Sequence, residues 1–273
     1  MPSIRRTTIA LAVVGALGAA PAAASASTLI TISGATSSYP LVALLAAKYR
    51  KVDKDKVRFK ITQGGASVGI ADVAAGRVTI GDSSRDPLPT DPTGLDFYPI
   101  AKYAICVVTN ESNPLSNLTT AQVDSIFTGK TRNWSEVPGA KASGPIDLIS
   151  RTSTAGVLTS FETLFLSGSK PSSLAAQESS EGLLKKQVEN DDNSIGFLSN
   201  YNADSGGVSS TPYNGVACTR ANAASEAYAG LARFYEVTKG KAAGAAAGFI
   251  SWIDKSAVAK KIISSQWVPI SEK

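Results

Sequence analysis

The chain has 273 residues, with 27 lysines and arginines against 22 aspartates and glutamates, a formal charge of +5, two cysteines and no histidine. Without histidine there is no Ser-His-Asp triad, no Cys-His pair and none of the usual zinc sites. The lysines are scattered and form no aromatic-studded stripe, which argues against a nucleic-acid partner and mildly favours a small anion.

The opening stretch, SIRRTTIALAVVGALGAAPAAASAS, carries Arg5 and Arg6, an apolar run from Ile9 to Ala20 and a small-residue exit at Ala24-Ser25-Ala26. That is the pattern of a secretory signal peptide over residues 1–26, cut before Ser27. The rival reading is an uncleaved anchor, for which the run is short. No cysteine follows the run, so a lipid anchor is not indicated. The mature protein is expected to be secreted, periplasmic or extracellular, and cell-envelope associated, with enough chain for two lobes.

From residue 28 the order is strand, turn, helix, repeated. TLITISGA (28–35) alternates and reads as a strand; YPLVALLAAKYRK (39–51) is a helix with Pro40 in its first turn and a basic end. KVRFKITQ (56–63) is a strand, GGASVGIADVAAG (64–76) a glycine turn entering a short helix, and VTIGDSS (78–84) a third strand. A proline-punctuated loop at 87–94 precedes FYPIAKYAICVVTN (97–110), a long apolar strand suited to cross into a second lobe. TTAQVDSIFTG (119–129) is a helix with Thr120 as its candidate cap. A strand over 146–150 leads through a turn into a helix over 156–165. A helix over 179–193 and a strand over 194–200 follow, then a returning segment at 227–240 and a terminal helix near AAAGFISWIDK. The pattern predicts an α/β fold with mainly parallel sheets flanked by helices. Cys106 and Cys218 either pair in an oxidising compartment or stay two buried thiols, and their spacing leaves both open.

Three turns in the first lobe share one grammar. SGATSSYP, QGGASVGI and IGDSSRD each end a strand in small hydroxyl residues or glycines. In an open parallel sheet such turns emerge at the carboxyl ends of the strands, where ligands bind and helix-start N–H groups suit an oxyanion. LISRTSTAGVLTSFE (148–162) adds a fourth turn, with an arginine directly after an apolar strand. Each part also has a plainer explanation. Thr36, Ser37 and Ser67 are good helix caps, Ser83 and Ser84 are ordinary turn residues, and lone arginines such as Arg85 and Arg151 often form salt bridges.

Taken in order, ISGATSSYPL, QGGASVGI, VTIGDSSRDPL, LTTAQVDSIFTGKTRNWSEVPG, ISRTSTAGVLTSF, SIGFLSNY, GVACTRANA and ARFYEVTKG resemble the phosphate-binding protein family, the extracytoplasmic receptors of phosphate ABC transporters. The resemblance implies a two-lobed type 2 periplasmic binding protein fold with a two-strand hinge. Lobe 1 would be 27–104 plus 222–273 and lobe 2 105–221. It further implies a non-enzymatic monomer without cofactor that captures phosphate or a related oxyanion and contacts ABC permease subunits transiently.

Carried over position by position, the family's ligand groups fall on Thr36, Ser37, Ser67, Ser84, Arg85, Arg151, Ser153, Thr154, Ala155, Gly156 and Val157. The family aspartate that accepts a proton from bound phosphate is replaced by Ser84, with Asp82 and Asp86 fitting less well; this Ser-Ser-Arg form is similar to one branch of the family. The family pattern Arg-x-Asp-Gly-Ser-Gly-Thr becomes Arg151-Thr152-Ser153-Thr154-Ala155-Gly156-Val157, so two hydroxyl donors are replaced by Ala155 and Val157. These departures leave an alternative, a secreted sensor, adhesion or matrix protein with a degenerate or re-specialised cleft.

Overall fold

The computed structural model describes residues 27–270; the signal-peptide reading of residues 1–26 lies outside them. In chain order the elements are β1 (Thr28–Gly34), α1 (Tyr39–Val52), β2 (Val57–Gln63), α2 (Ala66–Ala74), β3 (Ile80–Ser83) and β4 (Leu95–Asn110). Then come α3 (Thr120–Phe127), β5 (Asp147–Arg151), α4 (Gly156–Phe165), β6 (Ala176–Glu178), α5 (Glu181–Asn190), β7 (Ser194–Ser199), α6 (Asn200–Ala203) and β8 (Val208–Thr211). The chain closes with α7 (Arg220–Ala224), β9 (Leu231–Lys239), α8 (Gly244–Lys255) and α9 (Ala257–Gln266).

The strands run β2-β1-β3-β9-β4-β7-β5-β6, with β8 also on β4. The sheet is mixed, which corrects the mainly parallel expectation. The pairs β1–β2, β1–β3, β5–β6 and β5–β7 are parallel. Every antiparallel pair involves β4 or β9. The parallel grammar therefore holds inside each half, and the strands that join the halves reverse it. β4 makes the junction by changing partner along its length: Leu95 to Ala104 pair with β9, and Ile105 to Thr109 with β7. The result is the α/β, two-lobed architecture.

One apolar cluster runs through both halves. On α1 the buried Leu41, Val42, Leu45 and Ala46 recur at helical spacing, while Arg50 and Lys51 sit at the carboxyl end, where the helix dipole favours cations. In the second half Phe161 of α4 stacks on Phe197 of β7 at 4.0 Å and meets Phe127 of α3 at 4.7 Å. Cys106 of β4 and Cys218 form a disulfide, 5.6 Å between Cα atoms, which ties the connecting strand to the segment before α7. Helix α9 was not foreseen in the sequence; Ser256 opens it by accepting from the N–H groups of Val258 and Ala259.

Candidate functional site

The four hydroxyl- and glycine-rich turns meet. The carboxyl ends of β1 and β3 and the starts of α1 and α2 come from the first half; Arg151 at the end of β5 and the start of α4 come from the second. Backbone contact is close. The Ser67 N–H donates to the Thr154 carbonyl at 3.1 Å. A Cβ on Gly65, whose φ is +94°, would lie 2.5 Å from that same carbonyl oxygen. At Gly156 an added Cβ would lie 2.7 Å from Ala66 Cβ and 2.8 Å from Ser84 Oγ. Both positions need glycine because two turns from different halves share one space.

Arg151 is 1% exposed, and its guanidinium is fixed from three directions. Nε donates to the Glu178 carbonyl at 2.9 Å, and Nη2 donates to the Ser179 carbonyl and to Thr36 Oγ1, both at 3.0 Å. The Thr36 bond spans the two halves. Nη1 is buried and has no partner among the described residues. Burial pulls the guanidinium below its ordinary value, against the charges of Glu181, Tyr103 and Glu178, which favour the cation. Among the described residues no carboxylate forms an ion pair with it.

Two hydroxyls share the condition of Nη1. Ser37 Oγ and Ser84 Oγ are buried without a partner. Ser84 itself is rigid, because its carbonyl accepts from Tyr103 Oη at 2.7 Å and from Ser160 Oγ at 3.1 Å. Orphaned buried donors are costly, so three of them at one convergence point to a group that satisfies them together.

The helix starts tell the same story. Neither Ser38 before α1, Gly65 before α2 nor Ala155 before α4 caps its helix with a side chain. The N–H groups of Gly156 and Val157, in the first turn of α4, take no bond from elsewhere in the protein. Away from the convergence, Thr119, Ser180, Thr219 and Ser256 cap their helices, while α6 and α8 also lack a side-chain cap. The cap of α3 is Thr119, in a capping box with Gln122, and not Thr120 as the sequence suggested.

Several expected ligand groups are placed otherwise. Arg85 is buried, but Nη1 and Nη2 make a bidentate pair with Asp91 at 2.8 and 2.6 Å, so its charge is neutralised within the first half; only its Nε lacks a partner. Ser153 is exposed. Thr154 offers its carbonyl to Ser67, and its Oγ1 lies 3.4 Å from Thr152 Oγ1. The Ala155 N–H is taken by the Thr152 carbonyl at 2.9 Å, and the Val157 side chain packs in the core. Asp86 is exposed and accepts from Tyr235 Oη at 2.6 Å. Sequence reasoning set Asp82 aside in favour of Ser84 and passed over its neighbour Glu236; both are buried carboxyls, on adjacent strands.

The arrangement offers donors and one cation to a small anion. Among the described residues no cluster of three or more Cys, Asp and Glu side chains could hold a metal. Known proteins agree with the fold and extend the likeness along the chain. The phosphate-binding protein PstS of Bacillus subtilis is 27% identical over 253 residues, covering 90% of this chain and 82% of its own. A substrate-binding protein of Clostridium perfringens, assigned to a phosphate ABC transporter and solved with bound phosphate, superposes with a TM-score of 0.83 at 28% identity, over 89% of this chain and 100% of that one. An ABC-type phosphate transport receptor from Vibrio cholerae gives a TM-score of 0.71 at 26% identity, over 88% and 99% of the two chains. The PBP superfamily domain matches residues 20–255, and the chain belongs to that superfamily, with the two-lobed fold of the type 2 periplasmic binding proteins.

Proposed function

We propose that this protein captures a small tetrahedral oxyanion, inorganic phosphate first among them, between its two halves and presents it to an ABC permease outside the cytoplasm. It acts by binding, without chemistry, as a monomer. In this reading lobe 1 is 27–104 plus 222–273 and lobe 2 is 105–221, and the 105 boundary coincides with the change of partner along β4.

The observation that carries the reading is the set of buried, unpartnered polar atoms contributed by both halves: Ser37 Oγ, Ser84 Oγ and Arg151 Nη1. A tetrahedral anion presents oxygens in several directions, which matches one cation, two hydroxyls and the N–H groups of Gly156 and Val157. The anion would complete contacts that neither half completes alone, so binding favours the closed arrangement. Thr36 belongs to the site by holding Arg151, and Ser67 by holding the turn of Thr154 in place.

The acceptor side follows from Ser84. A carboxylate there would accept a hydrogen bond from the O–H of protonated phosphate and repel sulfate. A hydroxyl both donates and accepts, so it receives the proton of HPO₄²⁻ yet turns to donate to SO₄²⁻. Discrimination between the two anions is accordingly weaker than a carboxylate would provide. Calorimetry of the signal-free protein with phosphate, arsenate, sulfate and molybdate tests this. Saturable one-to-one heat with phosphate is the expected result, with sulfate competing. No response to any of the four would overturn the reading and favour a re-specialised or degenerate cleft.

A further inference from the structure

Asp82 of β3 and Glu236 of β9 stand directly opposite in the antiparallel register. Cross-strand partners project to the same side of a sheet, here the side of the buried Ile80 and Phe234, reached by Ser38 at the start of α1. Asp82 is 1% exposed and Glu236 0%. Among the described residues the one bond to either carboxyl is from Ser38 Oγ to Asp82 Oδ2 at 2.6 Å; Asp82 Oδ1 and both Glu236 oxygens have no partner there, and no cation pairs with either carboxyl. Two unpaired carboxylates side by side in an apolar core would be very costly, so the pair holds protons. Burial pushes Asp82 up to about 7 against the Ser38 bond. Burial, then the Asp82 charge, pushes Glu236 well above the usual carboxylate range.

The surrounding elements bring no compensating charge. From β4, Tyr98 lies opposite Glu236, and its hydroxyl receives the Ala242 N–H. From β1 the neighbour of Asp82 is Gly34. Helix α1 brings Ser38, with Lys48, Arg50 and Lys51 exposed in its later turns; Asp254 and Lys255 of α8 and Lys260 and Lys261 of α9 are exposed as well. On the other side of the sheet, Asp72 of α2 is occupied with Ser33 and Arg77, and Tyr235 with Asp86.

Ser38 connects this pair to the cradle. It is the residue that opens α1, its neighbour is Ser37, and Asp82 lies two residues before Ser84. The positive end of α1 thus faces the proposed anion on one side and the Asp82 carboxyl on the other. We propose that Asp82 and Glu236 make anion capture proton-linked, so that loss of a proton from the pair places a negative charge behind the cradle and weakens the hold on the anion. This rests on the oxyanion reading of the site and adds its regulation. By reciprocity the bound anion raises the pair's hold on its proton.

The test is calorimetry with inorganic phosphate on wild type and Asp82→Asn between about pH 5.5 and pH 9. The ionisation of phosphate itself is common to both proteins, so the ratio of the two dissociation constants isolates the pair. The two should bind alike at the acid end, with D82N about tenfold tighter at the alkaline end. If D82N folds poorly, Ser38→Ala gives an independent readout. It removes the one bond that favours the Asp82 carboxylate, so the weakening should move to higher pH. A pH-independent ratio, or an unmoved profile in S38A, overturns the linkage while leaving the anion reading intact. Absence of phosphate heat in wild type at every pH overturns both.

Discussion

Two strand ends in this molecule lead into a buried arginine, and the two arginines have opposite fates. Arg85, after β3, closes a bidentate pair with Asp91 from the proline-rich loop. Arg151, ending β5, is held by two carbonyls and the Thr36 hydroxyl, with Nη1 left over and no carboxylate in contact. A buried guanidinium that meets its own carboxylate is a structural tie. One that meets only neutral acceptors keeps its positive charge for something else. The difference sets the two turns apart, and sequence context hinted at it: Arg151 follows the apolar stretch 146–150, whereas Arg85 follows Asp82, Ser83 and Ser84.

The sharpest way to break the comparison is to truncate both sides of it. Arg151→Ala should weaken phosphate binding by about 2–4 kcal/mol, the usual cost of removing a charged partner from a desolvated site. Calorimetry at one pH would show this as a loss of about 30- to 1000-fold. Unchanged affinity would sink the assignment of Arg151. On the other side, Asp91→Ala should cost about 2–3 kcal/mol of folding stability, below the full price of a buried pair because Asp91 keeps some solvent contact. Its effect on phosphate affinity should stay within about threefold. Denaturant titration and calorimetry on the same preparation separate these outcomes.

The Asp91 tie also has a pH signature. Burial raises the carboxyl, but the bonds from Arg85 and the Leu88 N–H outweigh it, and the net shift is downward. A carboxyl lowered in the folded state contributes stability that is complete above its unfolded value and disappears as pH falls through the folded one. Wild type and D91A should therefore converge in stability on acidification below the carboxylate range. A gap that persists there would mean that Asp91 acts by packing alone.

What the sequence made legible follows from range. Helix α4 begins at Gly156 and ends at Phe165 as its pattern predicts, because turn glycine, apolar spacing and helix length are all local. The convergence of four turns was legible because strand-turn-helix units of a parallel sheet send their turns to one edge. The partner of Arg85 was not: Asp91 lies in a loop whose path only the fold sets. Nor did spacing reveal whether Cys106 and Cys218 meet, since the chain between them builds most of the second half. The pairing of Asp82 with Glu236 was overlooked for a related reason. A polar residue in an alternating strand ordinarily faces water, and here that face is buried. The retained Arg151 and Gly156 pointed to the site correctly, while Ala155 proved to use its N–H internally and Ser153 to face solvent.

Between the two arginines stands Ser84, which shares its turn with Arg85 but its unpartnered condition with Arg151. If the working surface includes it, Ser84→Ala should weaken phosphate binding by about 1 kcal/mol, roughly fivefold, and change stability little, since an orphaned hydroxyl contributes nothing to the fold. Loss of affinity for phosphate should exceed that for sulfate, because only phosphate brings a proton that needs an acceptor. Equal losses would show that Ser84 acts solely as a donor.

The smallest effect concerns the helix starts. Thr119 accepts from the Gln122 N–H while the Gln122 side chain accepts from the Thr119 N–H, so α3 satisfies its own opening donors. Helices α1, α2 and α4, the three at the cleft, leave theirs without side-chain caps, as α6 and α8 do elsewhere. Thr119→Ala should then cost about 1 kcal/mol of stability, the usual worth of a cap, and leave phosphate affinity untouched. A cap introduced at the cleft should behave in the opposite way. Ala155→Ser would supply a hydroxyl able to take the Val157 N–H, so it should stabilise the free protein by up to about 1 kcal/mol. If that N–H is a ligand donor, its occupation by the new side chain competes with phosphate, and any tightening must come from the hydroxyl reaching the anion instead. Thermal unfolding with and without phosphate decides between the two. A stability gain that shrinks as phosphate is added means the bare helix start is reserved for the anion, whereas a gain independent of phosphate means that α4 is merely uncapped.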